Sequence, residues 1–145
     1  MSDKFFTQLK DRSVLKISGE DCREFLQGLI SNDVKKVSST QAIYSAFLTA
    51  QGKFLHDFFI ATLESVLYLD CEASRIEDLC KRLKFYKLRS KVEIQISENF
   101  EILALFGTDS LKTLGLPQNV GAANYFESGV VYTDPRLTAA GARCI

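Results

Sequence analysis

Two carboxylates stand out for what surrounds them. Asp33 closes the run Ser31-Asn32-Asp33, and Asp57 sits inside the apolar run Phe54-Leu55-His56-Asp57-Phe58-Phe59-Ile60. An ionised Asp is seldom buried without a partner, so Asp57 needs a donor or a cation close by. Asp33 follows an apolar-striped segment expected to be helical. An exposed acid there would meet the negative end of the helix dipole, at a cost of about 0.3 kcal/mol or more. Asp is therefore a poor choice at that position for helix stability alone. It suits a ligand anchor: an acceptor for the N–H groups of a heterocycle, or a partner for a developing cation. The competing reading is a plain turn, which Asn32-Asp33 also favours. His56 cannot act with Asp57 as a dyad, because adjacent side chains of a strand point to opposite faces. His56 reads as a hydrogen-bonded or edge residue.

A second chemistry-bearing stretch is basic. Lys81, Arg82, Lys84, Lys87, Arg89 and Lys91 are interleaved with Phe85 and Tyr86. Cations in the last turn of a helix complement its dipole, which accounts for half of the run. The rest suits an anion, either a carboxylate tail or an RNA phosphate. Cys22, Cys71, Cys80 and Cys144 show neither a CxxC pair nor metal-ligand spacing. They read as small buried hydrophobes, with Cys144, beside the last residue, the one expected at the surface. The GxGxxG, P-loop, HExxH and GxSxG patterns are missing, which counts against the common nucleotide-, metal- and serine-dependent enzymes.

The elements that must hold these residues follow from periodicity. Ser13–Ile17 reads as a strand. Ser18-Gly19-Glu20-Asp21 carries a capping-box pattern, and Cys22, Phe25, Leu26, Leu29 and Ile30 form one helical stripe. Asn32 serves as a left-handed C-cap, stopping that helix near Ser31. Residues 43–49 and 54–61 are strand-like and joined through Gly52, which can supply a positive φ. Val66–Cys71 is a third strand after a turn at Glu64-Ser65. A second capping box, Ser74 to Glu77, opens a helix with Ile76, Leu79, Cys80 and Leu83 on one side. Val92–Ile96 alternates as a strand. The order β-α-β-β-β-α-β describes an α+β fold, a split β-α-β ferredoxin-like unit with an antiparallel sheet. A second similar unit starts near Phe100, with strands at 102–106 and 129–133 and a short helix at 109–114. The expected division is therefore 1–98 and 99–145. The second unit has too few strands to cover its own edges, and the chain reads as incomplete or completed by another polypeptide.

Composition sets limits. With 46% apolar residues and eleven Phe, 145 residues can build a substantial core. Lys plus Arg equals Asp plus Glu, 18 each, so no long-range field draws in DNA or an anionic membrane. No apolar run approaches the roughly 20 residues of a membrane span. Residues 1–8 lack a secretory or transit pattern, so a cytoplasmic protein is expected.

Four segments then occur in a telling order: Gly19 through Asp33, Tyr44 through Asp57, Tyr86-Lys-Leu-Arg-Ser-Lys-Val92, and Asp134-Pro-Arg-Leu137 with Gly141-Ala-Arg143. Together they resemble the N-terminal part of the folate-binding YgfZ family. That family includes mitochondrial iron–sulfur assembly factors and is related to the glycine-cleavage T-protein, an aminomethyltransferase. The resemblance implies a tetrahydrofolate-binding fold, a role in making or repairing iron–sulfur proteins, and a link to tRNA modification in bacteria. It also implies that Asp33 takes the place of the T-protein aspartate that contacts folate near its reactive nitrogen. Asn32 and Tyr44 carry over as pocket lining, Arg89 matches a family position without an assigned ligand, and Asp57 joins the candidate cofactor-binding set. The family's Lys-Gly-Cys-aromatic-x-Gly-Gln-Glu motif has no counterpart here, and family members are longer, ending in a small β-barrel. The expected protein is thus a binding module, an N-terminal fragment that is not itself a catalyst, with folate and iron–sulfur assembly or client proteins as partners. A homo-oligomer formed through the second unit is a further expectation. The enzymatic alternative is an aminomethyltransferase, and a third reading is the remnant of a split gene.

Overall fold

Alternating apolar residues do become strands, and the helical stripes do become helices. The computed structural model describes residues 4–107 and 109–145, so Met1 to Asp3 of the N-terminal reading lie outside it. Its first half runs β1 (Lys4–Gln8), β2 (Arg12–Ser18), α1 (Cys22–Gln27), β3 (Ile43–Leu48), β4 (Phe54–Leu63), β5 (Val66–Glu72), α2 (Ile76–Lys87) and β6 (Glu93–Ser97). Its second half adds β7 (Leu103–Gly107), α3 (Ser110–Thr113), β8 (Ala123–Phe126), β9 (Gly129–Thr133) and β10 (Ala142–Cys144). From β2 to β6 the order is the expected β-α-β-β-β-α-β. The β3–β4 turn uses Gly52 at φ 83°, and Glu64-Ser65 turn the chain between β4 and β5 at φ 52° and 69°, the left-handed values a tight hairpin demands.

Two antiparallel five-stranded sheets result, β3-β4-β5-β2-β6 and β1-β7-β10-β9-β8. The first, central sheet is covered on one face by α1 and α2, where Leu15, Ile17, Phe58, Ile60, Leu67 and Leu69 meet Leu79 and Leu83. On its other face Val14, Phe59, Ala61 and Tyr68 pack against Ala123, Val130 and Tyr132 of the second sheet and against Ile102, just before β7. Leu111, Leu114 and Leu116 then cover the outer side of that sheet against Val131 and Ala142.

Several expectations change. The second sheet is not short of strands: β8, missed in the sequence, lies on one edge, and β1, drawn from the other end of the chain, pairs with β7 from Lys4↔Gly107 to Gln8↔Leu103. Five residues with two adjacent Phe give too little periodicity to reveal such a strand. Helix α1 stops at Gln27 with Gly28 in right-handed conformation, well before Ser31, and Asn32 is not left-handed. Tertiary pairing ends it: Ile30 bridges Phe47, and Ser31 N–H donates to the Ala46 carbonyl at 2.9 Å. Neither capping box forms. Asp21 instead accepts from Lys91 N–H at 2.8 Å, and a 3-10 turn over Ala73–Arg75 leads straight into α2. Cys144 is buried in β10, between β7 and β9, and the other three cysteines are buried thiols as expected.

Candidate functional site

Helix α1 holds the Asp33 loop through two polar side chains that sequence reasoning overlooked. Gln27 Oε1 accepts from Val34 N–H at 2.7 Å, and Arg23 Nη1 donates to the carbonyls of Val34 and Val37 at 3.0 and 2.9 Å. The other side of the loop is stitched to β3. Asn32 Nδ2 donates to the Tyr44 carbonyl at 3.0 Å, Asn32 N–H to Ser45 Oγ at 3.2 Å, and Ala46 N–H to Ser31 Oγ at 2.9 Å. These bonds satisfy the backbone of a segment that is neither helix nor strand.

The electrostatic objection to Asp33 disappears. The helix ends at Gln27, six residues upstream, and Asp33 caps a 3-10 turn over Val34–Lys36, its Oδ1 accepting from Lys35 N–H at 2.9 Å. The turn reading is correct as local structure. Its second carboxylate oxygen makes no hydrogen bond among the described residues, and the half-buried side chain can accept a ligand N–H.

Asp57 has the partner its surroundings required. It accepts a short hydrogen bond from the Tyr44 hydroxyl across the β3–β4 ladder. Burial pushes the Tyr44 phenol above its usual range, and the Asp57 carboxylate adds to the effect. His56 points the opposite way, buried on the helix side with Nε2 2.7 Å from Asp78. Hydrogen bonds from Arg82 and His56 hold the Asp78 carboxyl below the ordinary range. Leu55 departs from the expected alternation and packs with the helix-side core, because the ladder shifts register opposite it.

Around Tyr44 and Asp57 the two sheets enclose a charged layer. The Phe59 ring lies under three guanidiniums, with Arg143 4.2 Å, Arg136 4.7 Å and Arg12 5.8 Å from its centroid. Arg136 also lies 5.6 Å from the Tyr44 ring. Asp70, fully buried, accepts from Arg12 Nε at 2.7 Å and from Arg143 Nε at 2.8 Å, while Arg143 Nη2 sits 2.6 Å away as an ion contact without hydrogen-bond alignment. Asp134 accepts two bonds from the Arg136 guanidinium, at 3.0 and 2.7 Å, and a third from its backbone N–H at 2.8 Å. Burial acts to raise the Asp134 carboxyl, but the Arg136 hydrogen bonds and charge outweigh it and hold the group below its usual range. The Tyr132 hydroxyl is buried there without a hydrogen-bond partner among the described residues, and burial raises its pKa.

The structure thus brings Asn32, Asp33, Tyr44 and Asp57 to one strand, β3, and its neighbours. Arg89 is different: it is exposed beyond the end of α2 and hydrogen-bonds to none of them. The arrangement offers a carboxylate acceptor at Asp33, an aromatic ring at Tyr44 and a guanidinium at Arg136, complementary to a heterocycle bearing N–H donors and a carboxylate. Among the described residues no cluster of His, Cys, Asp and Glu could hold a metal ion, and no helix is long and apolar enough to cross a membrane.

Residues 9–126 match the family model described as the GCVT N-terminal domain. A mitochondrial protein of Pyricularia oryzae, named as an iron-sulfur cluster assembly factor IBA57 homolog, is 36% identical over 100 residues, covering 66% of this chain and 25% of its own. The Neurospora crassa protein of the same name is 29% identical over 153 aligned positions, covering 96% of this chain and 34% of its own. The chain therefore spans between a quarter and about a third of these relatives' length. In fold it is similar to the glycine cleavage system aminomethyltransferase T from Bartonella henselae, with a TM-score of 0.76 at 16% identity, over 97% of this chain and 41% of that one.

Proposed function

The chain belongs to the GCVT N-terminal domain family, and from that premise we propose that it is a tetrahydrofolate-binding module acting in iron–sulfur cluster assembly or repair. The observation that carries the ligand reading is the fixed Asp33 loop. Gln27, Arg23, Asn32 and Ser31 immobilise a carboxylate of which one oxygen is committed to Lys35 N–H and the other is available. An acceptor whose position is prepaid in this way loses little entropy on binding. Asn32 sets the loop on β3, while Tyr44, braced by Asp57, supplies a face for an aromatic ring. Arg136, already paired with Asp134, presents its remaining N–H groups toward an anionic end. Arg89 is the outlying member of the set, a cation for a ligand tail.

The assembly role rests on the relatives, which carry the name of iron–sulfur cluster assembly factors. The aminomethyltransferase alternative has the weaker support, because the likeness to that enzyme is one of fold. Calorimetric titration of tetrahydrofolate into the full chain tests the ligand and the site together. Saturable binding is expected, and Asp33→Asn should weaken it about 10- to 100-fold, as the loss of a charge-assisted hydrogen bond of about 1.5–3 kcal/mol requires. Equal affinity in the variant removes Asp33 from the site, and no binding removes the ligand.

A further inference from the structure

Arg136 is exposed yet held in place, a combination its two neighbours in the charged layer lack. Its side chain is 46% exposed, against 15% for Arg12 and 10% for Arg143. The hold is local in origin. Pro135 fixes its own φ between Asp134 and Arg136, and the Asp134 carboxylate turns back to accept from Arg136 N–H at 2.8 Å. Asp134 is itself anchored: it is buried, and its N–H donates to the Gly141 carbonyl at 2.9 Å. The guanidinium then lies over the Phe59 and Tyr44 rings. A long cationic side chain that would ordinarily sample many rotamers is thus ordered before any ligand arrives.

A guanidinium has two planar edges that each match a carboxylate: the side edge of Nε with one Nη, and the end edge of both Nη atoms. Asp134 occupies the side edge, through Nε at 3.0 Å and Nη2 at 2.7 Å. Nη1 makes no hydrogen bond among the described residues, so the end edge is open. In Arg12 and Arg143 the Nε and Nη2 groups face Asp70, and little of either side chain reaches solvent. Arg136 alone of the three keeps a free fork. That fork borders the Asp33 loop, because the Tyr44 ring beside it belongs to the residue whose carbonyl Asn32 braces. Asp134 offsets the charge of Arg136, so what the fork offers is direction: parallel N–H donors that fit the two oxygens of one carboxylate.

We propose that the end edge of Arg136 takes a carboxylate of the ligand's glutamate tail, with Asp134 as the positioning residue that aims it. This assignment rests on the folate reading and gives the tail a specific, bidentate contact. Asp33 then reads an N–H of the ring system while Arg136 reads the tail, so the two ends of one ligand are recognised by opposite chemistry. A lysine at 136 would keep the charge and lose the fork. An asparagine at 134 would keep the size and lose the second carboxylate oxygen that fixes Nη2.

The test is calorimetric titration of the full chain at neutral pH with three ligands. They are tetrahydrofolate, its diamide with both tail carboxylates amidated, and a methyl-substituted tetrahydropterin that has the reduced ring without the tail. The parent chain should bind tetrahydrofolate about tenfold more tightly than the diamide. Arg136→Lys should erase that difference and leave the tetrahydropterin affinity unchanged. Asp134→Asn should shrink the difference severalfold while the diamide binds as before, whereas a merely structural role would weaken all three ligands alike. Asp33→Asn should weaken all three, because it touches the part they share. If none of the three binds, the folate reading falls and takes this assignment with it. If tetrahydrofolate binds but no more tightly than the diamide, the assignment alone falls. It also falls if Arg136→Lys keeps the difference, or if Asp134→Asn weakens all three equally.

Discussion

On β5, Leu69 and Asp70 are both fully buried neighbours, yet they enter different worlds. Leu69 joins the helix-covered face of the central sheet, where its neighbours are Leu15, Ile60, Leu79 and other apolar side chains. Asp70 enters the layer between the sheets, held by Arg12 and Arg143. The helix face is a hydrophobic core in the ordinary sense, and its one histidine reaches out to Asp78 at the surface. The inter-sheet face places guanidiniums and carboxylates where apolar residues would serve stability as well or better. What the charged layer adds is geometry: it fixes β2, β5 and β10 against one another and sets Phe59 beneath the cations that border Tyr44. One face stabilises; the other arranges.

This contrast can be broken at its strongest point first. Asp70→Ala leaves two buried guanidiniums without their carboxylate, and a loss of about 3–5 kcal/mol in urea denaturation is expected. A loss below about 1 kcal/mol would mean that solvent screens the layer and that it is not buried in the energetic sense. Leu69→Ala, next door, should cost about 3 kcal/mol through lost burial and a cavity. It should do so with little dependence on pH or salt, since no charge is removed.

Asp134 sharpens the contrast by its pH dependence. Its carboxyl is held below the ordinary range in the folded state, so the stability it contributes is present above the unfolded carboxylate pKa of about 4 and is lost as pH falls through the folded value. Asp134→Asn should therefore cost about 1 kcal/mol at neutral pH, the partner Arg136 being half exposed. The difference from the parent should shrink below pH ~4, a trend that melts across an acid series would reveal. The smallest effect is expected at Tyr132. Its hydroxyl is buried and has no partner among the described residues, so Tyr132→Phe should be neutral or stabilising by up to about 1 kcal/mol. A clear destabilisation would reveal a hydrogen bond to Arg143 in solution.

Much of this was legible in the sequence, for local reasons. Hairpin turns, the α2 stripe and the opposite-facing pair His56–Asp57 are set within a few residues, and they stand as expected. Asp70 was legible in principle. It interrupts Val66-Leu-Tyr-Leu with a charge, as Asp57 interrupts its own strand, and the same reasoning applies to both. Its partners were not legible, because Arg12 and Arg143 are 58 and 73 residues away. Asn32 shows the limit of local chemistry. Its type suits a left-handed cap, but the pairing of Ile30 with Phe47 ended the helix earlier and turned Asn32 into a brace for Asp33.

The placement of β1 has a consequence for how the chain comes off the ribosome. Strand β1 is synthesised well before the strand it pairs with, β7, in a register from Lys4↔Gly107 to Gln8↔Leu103. At ~5–20 residues per second, about 5–20 s pass between the emergence of the two partners. Throughout that interval Phe5 and Phe6 wait as an unpaired apolar edge, open to a chaperone or to a neighbouring nascent chain. Closure of the second sheet is then a late, long-range event, so vectorial synthesis leaves β1, made well before its partner, among the last of these strands to become native.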